Sequence, residues 1–351
     1  MTSRRRWLVF AAATTALGLV VTVAVLFAID VYLHGRYERS AGFNVWGYRG
    51  PSVARKKTGE FRLVVLGGSA AYGYGVSADQ TIPAELERLL RLRSQTPRFT
   101  VVNLGYNNEG AYSFNATLDD YAWLRYDLAL LYEGYNDLIY TRPNTQIFRH
   151  DSPMFRFTGY MPIFPIIFRE KAAAMVSGGD PGAAYRPDQK TTFHASLAAK
   201  TGATLLTTTA DVAKSLEAQL GHISAEPSPH ADIGAQTGCG RWGAYCRSIE
   251  VAIEAARRHQ AQVVVATQPY LRAGENTANL HREQQEMLRG FLMRRFGASQ
   301  DVKYVNAGNS VDLEDPNLSF DHMHLDAAGN TRVASALVPA VVEMAAARKQ
   351  S

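Results

Sequence analysis

Residues 61–69 read Phe-Arg-Leu-Val-Val-Leu-Gly-Gly-Ser, a short apolar run that ends on two glycines and a serine. A run of this length, closed by glycine, predicts a strand buried on both faces. Ser69 then stands where that strand turns into a helix. The same pattern returns four times: 99–104 before Gly105, 128–132 before Gly134, 262–267 before Pro269, and the shorter 302–306. Between these runs lie stretches with helical spacing. Pro83–Leu92 carries Leu86, Leu89 and Leu90 on one face, with Pro83 near the start, where proline is tolerated. Further helices are expected at 118–125, 248–259, 280–296 and 327–344, the last with Pro339 as a candidate kink. Strands alternating with helices imply a parallel sheet covered on both faces. Short right-handed crossovers then make one three-layer α/β/α domain with five parallel strands the economical fold. It would span 61–347, with one large insertion at 141–245 that holds a helix near 210–220.

The first thirty residues set the compartment. Trp7 to Ile29 contains no charged side chain and no histidine. As a helix it would measure about 35 Å, enough to cross a hydrocarbon core of about 30 Å. Arg4, Arg5 and Arg6 precede it, so residues 1–6 are expected to stay in the cytoplasm and the rest to lie periplasmic or extracellular. A cleaved signal peptide would have a shorter apolar region and a small-x-small exit, which Ala28-Ile29-Asp30 is not. Residues 7–29 are therefore read as a single-pass anchor in the cell membrane and 30–60 as a polar connector. A second apolar and aromatic stretch, Met154–Val176, is broken by Arg156, Pro162 and Pro165. It is expected to pack on the domain, with a lipid- or acyl-touching lid as the alternative.

Composition removes several classes. Lys and Arg number 37 against 32 Asp and Glu, a formal charge of only +5 spread along 351 residues, so no nucleic-acid partner is expected. With 46% hydrophobic and 20% charged residues the chain can bury a full core. Two cysteines exclude a disulfide-dense scaffold and an all-cysteine zinc site. Cys239 and Cys246 are a candidate disulfide if the domain is exported, against two buried thiols otherwise.

In open parallel sheets, sites form at the carboxyl ends of the strands. There stand Ser69, Gly105 in Val-Asn-Leu-Gly, and Asn136 in Gly-Tyr-Asn-Asp. Near the far end is Asp321-His322-Met323-His324. Three residues apart on a helical turn, Asp321 and His324 would share one face, the carboxylate orienting the imidazole as a base. His322 and His324 lack further ligands for a metal. The glycines at 73 and 75 are not in a dinucleotide register, and no Gly-Lys-Ser/Thr occurs. No metal and no cofactor is expected.

These four blocks, Ser69, Gly105, Asn136 and His324, in this order and with Asp321 three residues before the histidine, resemble the SGNH hydrolases, the GDSL-type esterase/lipase family. The resemblance covers about 61–140 and 246–345. It implies a flavodoxin-like fold and a serine esterase with a membrane-anchored bacterial setting. It also implies Ser69 as nucleophile, His324 as base, Asp321 as its partner, and an oxyanion hole from the Ser69 and Gly105 N–H groups and the Asn136 amide. The substrate would be an acyl or acetyl ester on lipid, glycan or a small molecule. One departure stands out: the aspartate usual before the family's serine is Gly68 here. An O-acyltransferase acting on cell-envelope glycans with the same triad, and a catalytically silent anchored binding module, are the alternatives.

Overall fold

A computed structural model describes residues 3–38, 42–93, 97–107, 109–139, 149–150, 152–164, 237–270 and 276–348. Contacts divide the chain into two compact units. One comprises Arg36–Met161 and Ser228–Ser351, the other Met1–Gly35 and Pro162–Pro227.

The larger unit is built on five parallel strands: β1 (Glu60–Gly67), β2 (Arg98–Asn103), β3 (Leu128–Tyr132), β4 (Gln262–Ala266) and β5 (Val302–Val305). Their order across the sheet is β2-β1-β3-β4-β5. The register pairs Val65 with both Asn103 and Leu130, and Gly67 with Tyr132. Each strand therefore ends at the same edge as its neighbours. Every residue of β3 and β4 is buried, and β1 is buried after its first residue. The outer strands β2 and β5 are only partly covered. That gradient explains why continuous apolar runs, rather than alternating ones, mark the three central strands.

Two helices cover one face, α3 (Ile82–Arg93) and α9 (Ala327–Arg348). Phe61, Leu63 and Val65 of β1, with Leu128, Leu130 and Tyr132 of β3, pack there against Ile82, Leu86 and Leu90 and against Val333, Leu337 and Val341. Each such side chain taken fully from water contributes about 1.5–3 kcal/mol. Helices α4 (Phe114–Asp120), α7 (Gly243–Arg258) and α8 (Asn276–Phe296) form the other layer. Three short helices complete the described set: α2 (Ser69–Tyr72), α5 (Tyr135–Ile139) and α6 (Pro153–Thr158). The architecture is thus the three-layer α/β/α fold with five parallel strands that the sequence pattern implies.

Several boundaries differ from expectation. The helix expected at 118–125 lies at Phe114–Asp120, followed by a 3-10 turn at Ala122–Leu124 that Arg125 ends at φ 53°. Helix α7 starts at Gly243, ahead of the expected Ser248. Helix α9 runs through Pro339 and on to Arg348. The helix expected near 210–220 lies outside the described residues. Of the stretch 154–176, Phe155, Met161 and Ile163 are buried while Met154 and Phe157 are exposed, and 165–176 lie outside the described residues.

Helix α1 (Ser3–Tyr37) contains one span, Arg5–Tyr37, long and apolar enough to cross a membrane. Its apolar side chains are exposed all along, Trp7 at 71% and Leu19 at 68%. The helix does not stop at Ile29: it continues to Tyr37, through the first residues of the stretch read as a connector. No proline interrupts them, and the buried pair Asp30–His34, 3.3 Å apart, joins one turn to the next. Asp30 Oδ1 also accepts the N–H of Ile163 at 2.9 Å. Within the stretch read as a polar connector, residues 43–50 are largely buried, while 51–57 are mostly exposed. Tyr48 and Arg49 are buried, and Arg49 N–H donates to the Asn103 carbonyl.

Cys239 and Cys246 are joined as a disulfide with both residues buried at the head of α7. The closed loop is short, with a sequence separation of 7, so the bond removes modest entropy from the unfolded chain. Reduction should lower stability by about 2–3 kcal/mol without unfolding the domain at 25 °C. Urea unfolding with and without reductant measures this, and an unchanged midpoint would contradict it.

Candidate active site

At the carboxyl end of β1 the chain packs tightly on its neighbours. A Cβ on Gly67 would lie 2.2 Å from the Tyr132 carbonyl oxygen. One on Gly68 would lie 2.0 Å from Asn136 Nδ2. Neither position has room for a side chain, so the strand turns sharply and delivers Ser69 as the first residue of α2. That helix is a single turn: Gly73 ends it at φ 82°, and its N–H donates to the Ser69 carbonyl at 2.9 Å.

His324 arrives from a loop 255 positions away, its Nε2 lying 2.8 Å from Ser69 Oγ. The other ring nitrogen, Nδ1, meets Asp321 Oδ2 at 2.7 Å. The expected helical turn is not what joins this pair. Residues 320–324 form a bent loop closed by a bridge between Ser319 and Leu325. Asp321 Oδ1 accepts the N–H groups of Met323 at 3.1 Å and His324 at 2.6 Å, which curls the loop around the carboxylate. His322 stands at φ 62°, and its Nδ1 faces the Leu313 carbonyl oxygen at 3.2 Å. It takes no part in the cluster. The ring of His324 lies between Tyr74, at 4.8 Å between centroids, and Phe320, at 5.9 Å. Burial pushes the Asp321 carboxyl up, but the hydrogen bonds from the His324 ring and N–H outweigh it and hold the group at about 2.

Asn136 sits in α5, just past β3. Its Nδ2 donates to the Glu109 carbonyl at 2.8 Å and makes a longer contact, 3.5 Å, with Glu133 Oε2. Gly105 follows β2, and its N–H donates to Asn103 Oδ1 at 3.0 Å. A Cβ on Gly105 would lie 2.6 Å from the Tyr72 nitrogen, so glycine is required here by close packing on α2. The tertiary structure thus brings Ser69, Asp321 and His324 into one hydrogen-bonded line. Asn136 adjoins Gly68, while the Gly105 N–H is taken by a neighbouring side chain.

Sequence reasoning missed the layer behind these residues. Glu133, Asp137, Glu109 and Arg149 are all buried. Asp137 Oδ2 accepts the Ala111 N–H at 3.0 Å. Arg149 pairs with Glu109 at 3.1 Å and donates to the Leu104 carbonyl at 2.8 Å. Burial raises the carboxyls of Glu133 and Asp137 above the usual carboxylate range, and for Glu133 the nearby Asp137 adds to it. The available signal was a charged residue, Glu133, directly after the fully apolar run 128–132. Among the described residues no group of three His, Cys, Asp or Glu side chains is placed to hold a metal ion. A cavity of about 660 Å3 lies between residues 48–57, β2 and α3, and none of Ser69, Gly105, Asn136, Asp321 or His324 lines it.

No protein-family model matches the chain, and no curated protein sequence matches it. Solved structures do. An α/β hydrolase enzyme from the metagenome of Lake Arreo, Spain, is 14% identical, covering 81% of this chain and 96% of its own, with a TM-score of 0.44. A member of the lipolytic G-D-S-L family from Veillonella parvula is 10% identical over 80% of this chain and 97% of its own, with a TM-score of 0.43. A family 3 carbohydrate esterase from Clostridium thermocellum is 12% identical over 82% and 98%, with a TM-score of 0.41. At these values the likeness speaks to neither reaction nor substrate.

The depressed Asp321 carboxyl has a consequence for acid stability. The native state binds this proton more weakly than the unfolded chain does. The pair therefore stabilises the fold above about pH 4 and ceases to as pH falls through about 2. The stability difference between wild type and Asp321→Asn should be largest near neutral pH and shrink on acidification toward pH 2. Urea titrations across that range check it; a constant difference would contradict the assignment.

Proposed function

We propose that this chain is a serine ester hydrolase, anchored in a cell membrane by residues 7–29, with its catalytic unit on the periplasmic or extracellular side. The observation that carries the reading is the unbroken line from Asp321 through His324 to the Ser69 hydroxyl, at 2.7 and 2.8 Å. In it, Ser69 Oγ attacks the ester carbonyl while His324 Nε2 takes its proton. Asp321, ionised at any working pH, holds Nδ1 and stabilises the imidazolium that forms. The same imidazolium then protonates the departing alcohol, leaving an acyl group on Ser69, which water removes with His324 again as base.

Charge building on the carbonyl oxygen needs donors placed beforehand. The Ser69 N–H and the Asn136 amide are the leading pair. Asn136 spends one amide hydrogen on the Glu109 carbonyl, and its other makes only the 3.5 Å contact with Glu133. Gly105 joins them by exchanging Asn103 Oδ1 for the oxyanion. The substrate class is an acyl or acetyl ester, taken without metal or cofactor. The three arginines before the apolar span support a cytoplasmic N-terminus. The buried disulfide supports an oxidising compartment for the rest.

A fluorophosphonate should label the wild-type protein at Ser69 and fail to label Ser69→Ala, whose ester cleavage should fall to background while its fold persists. Labelling that survives in Ser69→Ala would remove the nucleophile. Asn136→Ala should lower kcat by about 10²–10³ with KM nearly unchanged. An unchanged kcat would exclude the amide from the hole.

A further inference from the structure

Glu133 is the least explained charged side chain near the site. It closes β3, is 2% exposed, and touches none of Ser69, Asp321 or His324. Its two oxygens nevertheless face two different turns. Oε2 accepts the Gly68 N–H at 2.5 Å, directly before Ser69. Oε1 accepts the N–H of Gly134 at 2.8 Å and of Asn136 at 3.1 Å. The turn after β1 and the turn after β3 are thereby clamped by one side chain. The fit is tight: a Cβ on Gly68 would stand 2.7 Å from Glu133 Oε2.

We propose that Glu133 is a positioning residue that sets the distance between the Ser69 hydroxyl and the Asn136 amide by holding the Gly68 and Asn136 N–H groups at once. The inference rests on the reading of Ser69 as nucleophile and Asn136 as an oxyanion donor. Its physical basis is that all of these partners are donors and both side-chain oxygens accept, an arrangement that opposes the proton uptake favoured by burial and Asp137. Burying a carboxyl is costly unless it is hydrogen-bonded, and here three backbone donors offset that cost. A glutamine has the same shape but only one accepting oxygen. Whichever way its amide turns, an NH2 group opposes either the Gly68 N–H or the pair from Gly134 and Asn136. One turn must then move away. Displacements near 1 Å between reacting groups cost about 10²-fold in rate.

The test uses the full chain in detergent micelles, with p-nitrophenyl acetate as ester and a fluorophosphonate as probe of Ser69. Glu133→Gln should lower kcat by about 10–100-fold, leave KM within about threefold, and slow fluorophosphonate labelling in parallel. A purely structural role would instead reduce the folded fraction, read by near-ultraviolet circular dichroism, while kcat per folded molecule stayed at the wild-type value. That result, or a variant as fast as wild type, overturns the proposal. If Glu133→Gln does not fold, Glu133→Asp decides, because it keeps two accepting oxygens but draws them back by one methylene from the Gly68, Gly134 and Asn136 N–H groups. The same split between kcat and KM supports the clamp, and wild-type turnover overturns it. A wild-type protein that neither cleaves the ester nor reacts with fluorophosphonate fails at the nucleophile itself, and the clamp falls with it.

Discussion

The closeness of three backbones at one edge of the sheet is the constraint on which the rest of the site depends. β1 and β3 run side by side in parallel, with Gly67 level with Tyr132, so the turns that follow them leave the sheet at the same height. Nothing larger than hydrogen fits on Gly67 or Gly68, and Gly105 is pressed against α2 in the same way. Backbone N–H groups can therefore approach one another and a shared side chain to hydrogen-bond distance. A single added methyl would push β1 from β3 or tilt α2, and with it Ser69.

Behind this edge the protein places charge where charge is expensive. Glu109 and Arg149 form a buried pair, and Glu133 and Asp137 are buried carboxyls with raised affinity for protons. Such groups rarely add net stability compared with a hydrocarbon core. What they do here is tie loops. Arg149 reaches the carbonyls of Gly47 and Leu104, Asp137 takes the Ala111 N–H, and Asn136 takes the Glu109 carbonyl. The connection between β2 and α4 is thereby fastened to α5 from several directions. In front, the Asp321–His324 pair remains partly open to solvent, with side chains 12% and 14% exposed. The back of this cluster is thus tied by hydrogen bonds and its front is open.

Much of this was legible in order along the chain. Central strands wrapped by helices on both sides must be predominantly apolar, so 61–66, 128–132 and 262–266 were legible from their apolar runs despite Arg62 and Gln262. The apolar span 7–29 was legible from composition too, although its side chains are exposed and the helix continues to Tyr37, with the Asp30–His34 pair joining one turn to the next. Asp321 and His324 are three residues apart, so their meeting needed only a local bend. That the bend is a loop rather than a helical turn depends on where the next helix begins, and α9 begins at Ala327, three residues after His324.

Chain order alone determined which segments are strands and which are helices, that Ser69 lies at a strand end, and that a carboxylate accompanies His324. Those features are written in the apolar spacing and turn residues of short segments, which can be read without knowing which distant segment each one meets. Only the tertiary structure decided that His324 reaches Ser69, that His322 turns to Leu313 instead, that Asn103 takes the Gly105 N–H, and that Glu133 points inward to both turns. Each of these depends on strand order and register, which bring distant residues to one edge and set by tenths of an ångström which donor finds which acceptor.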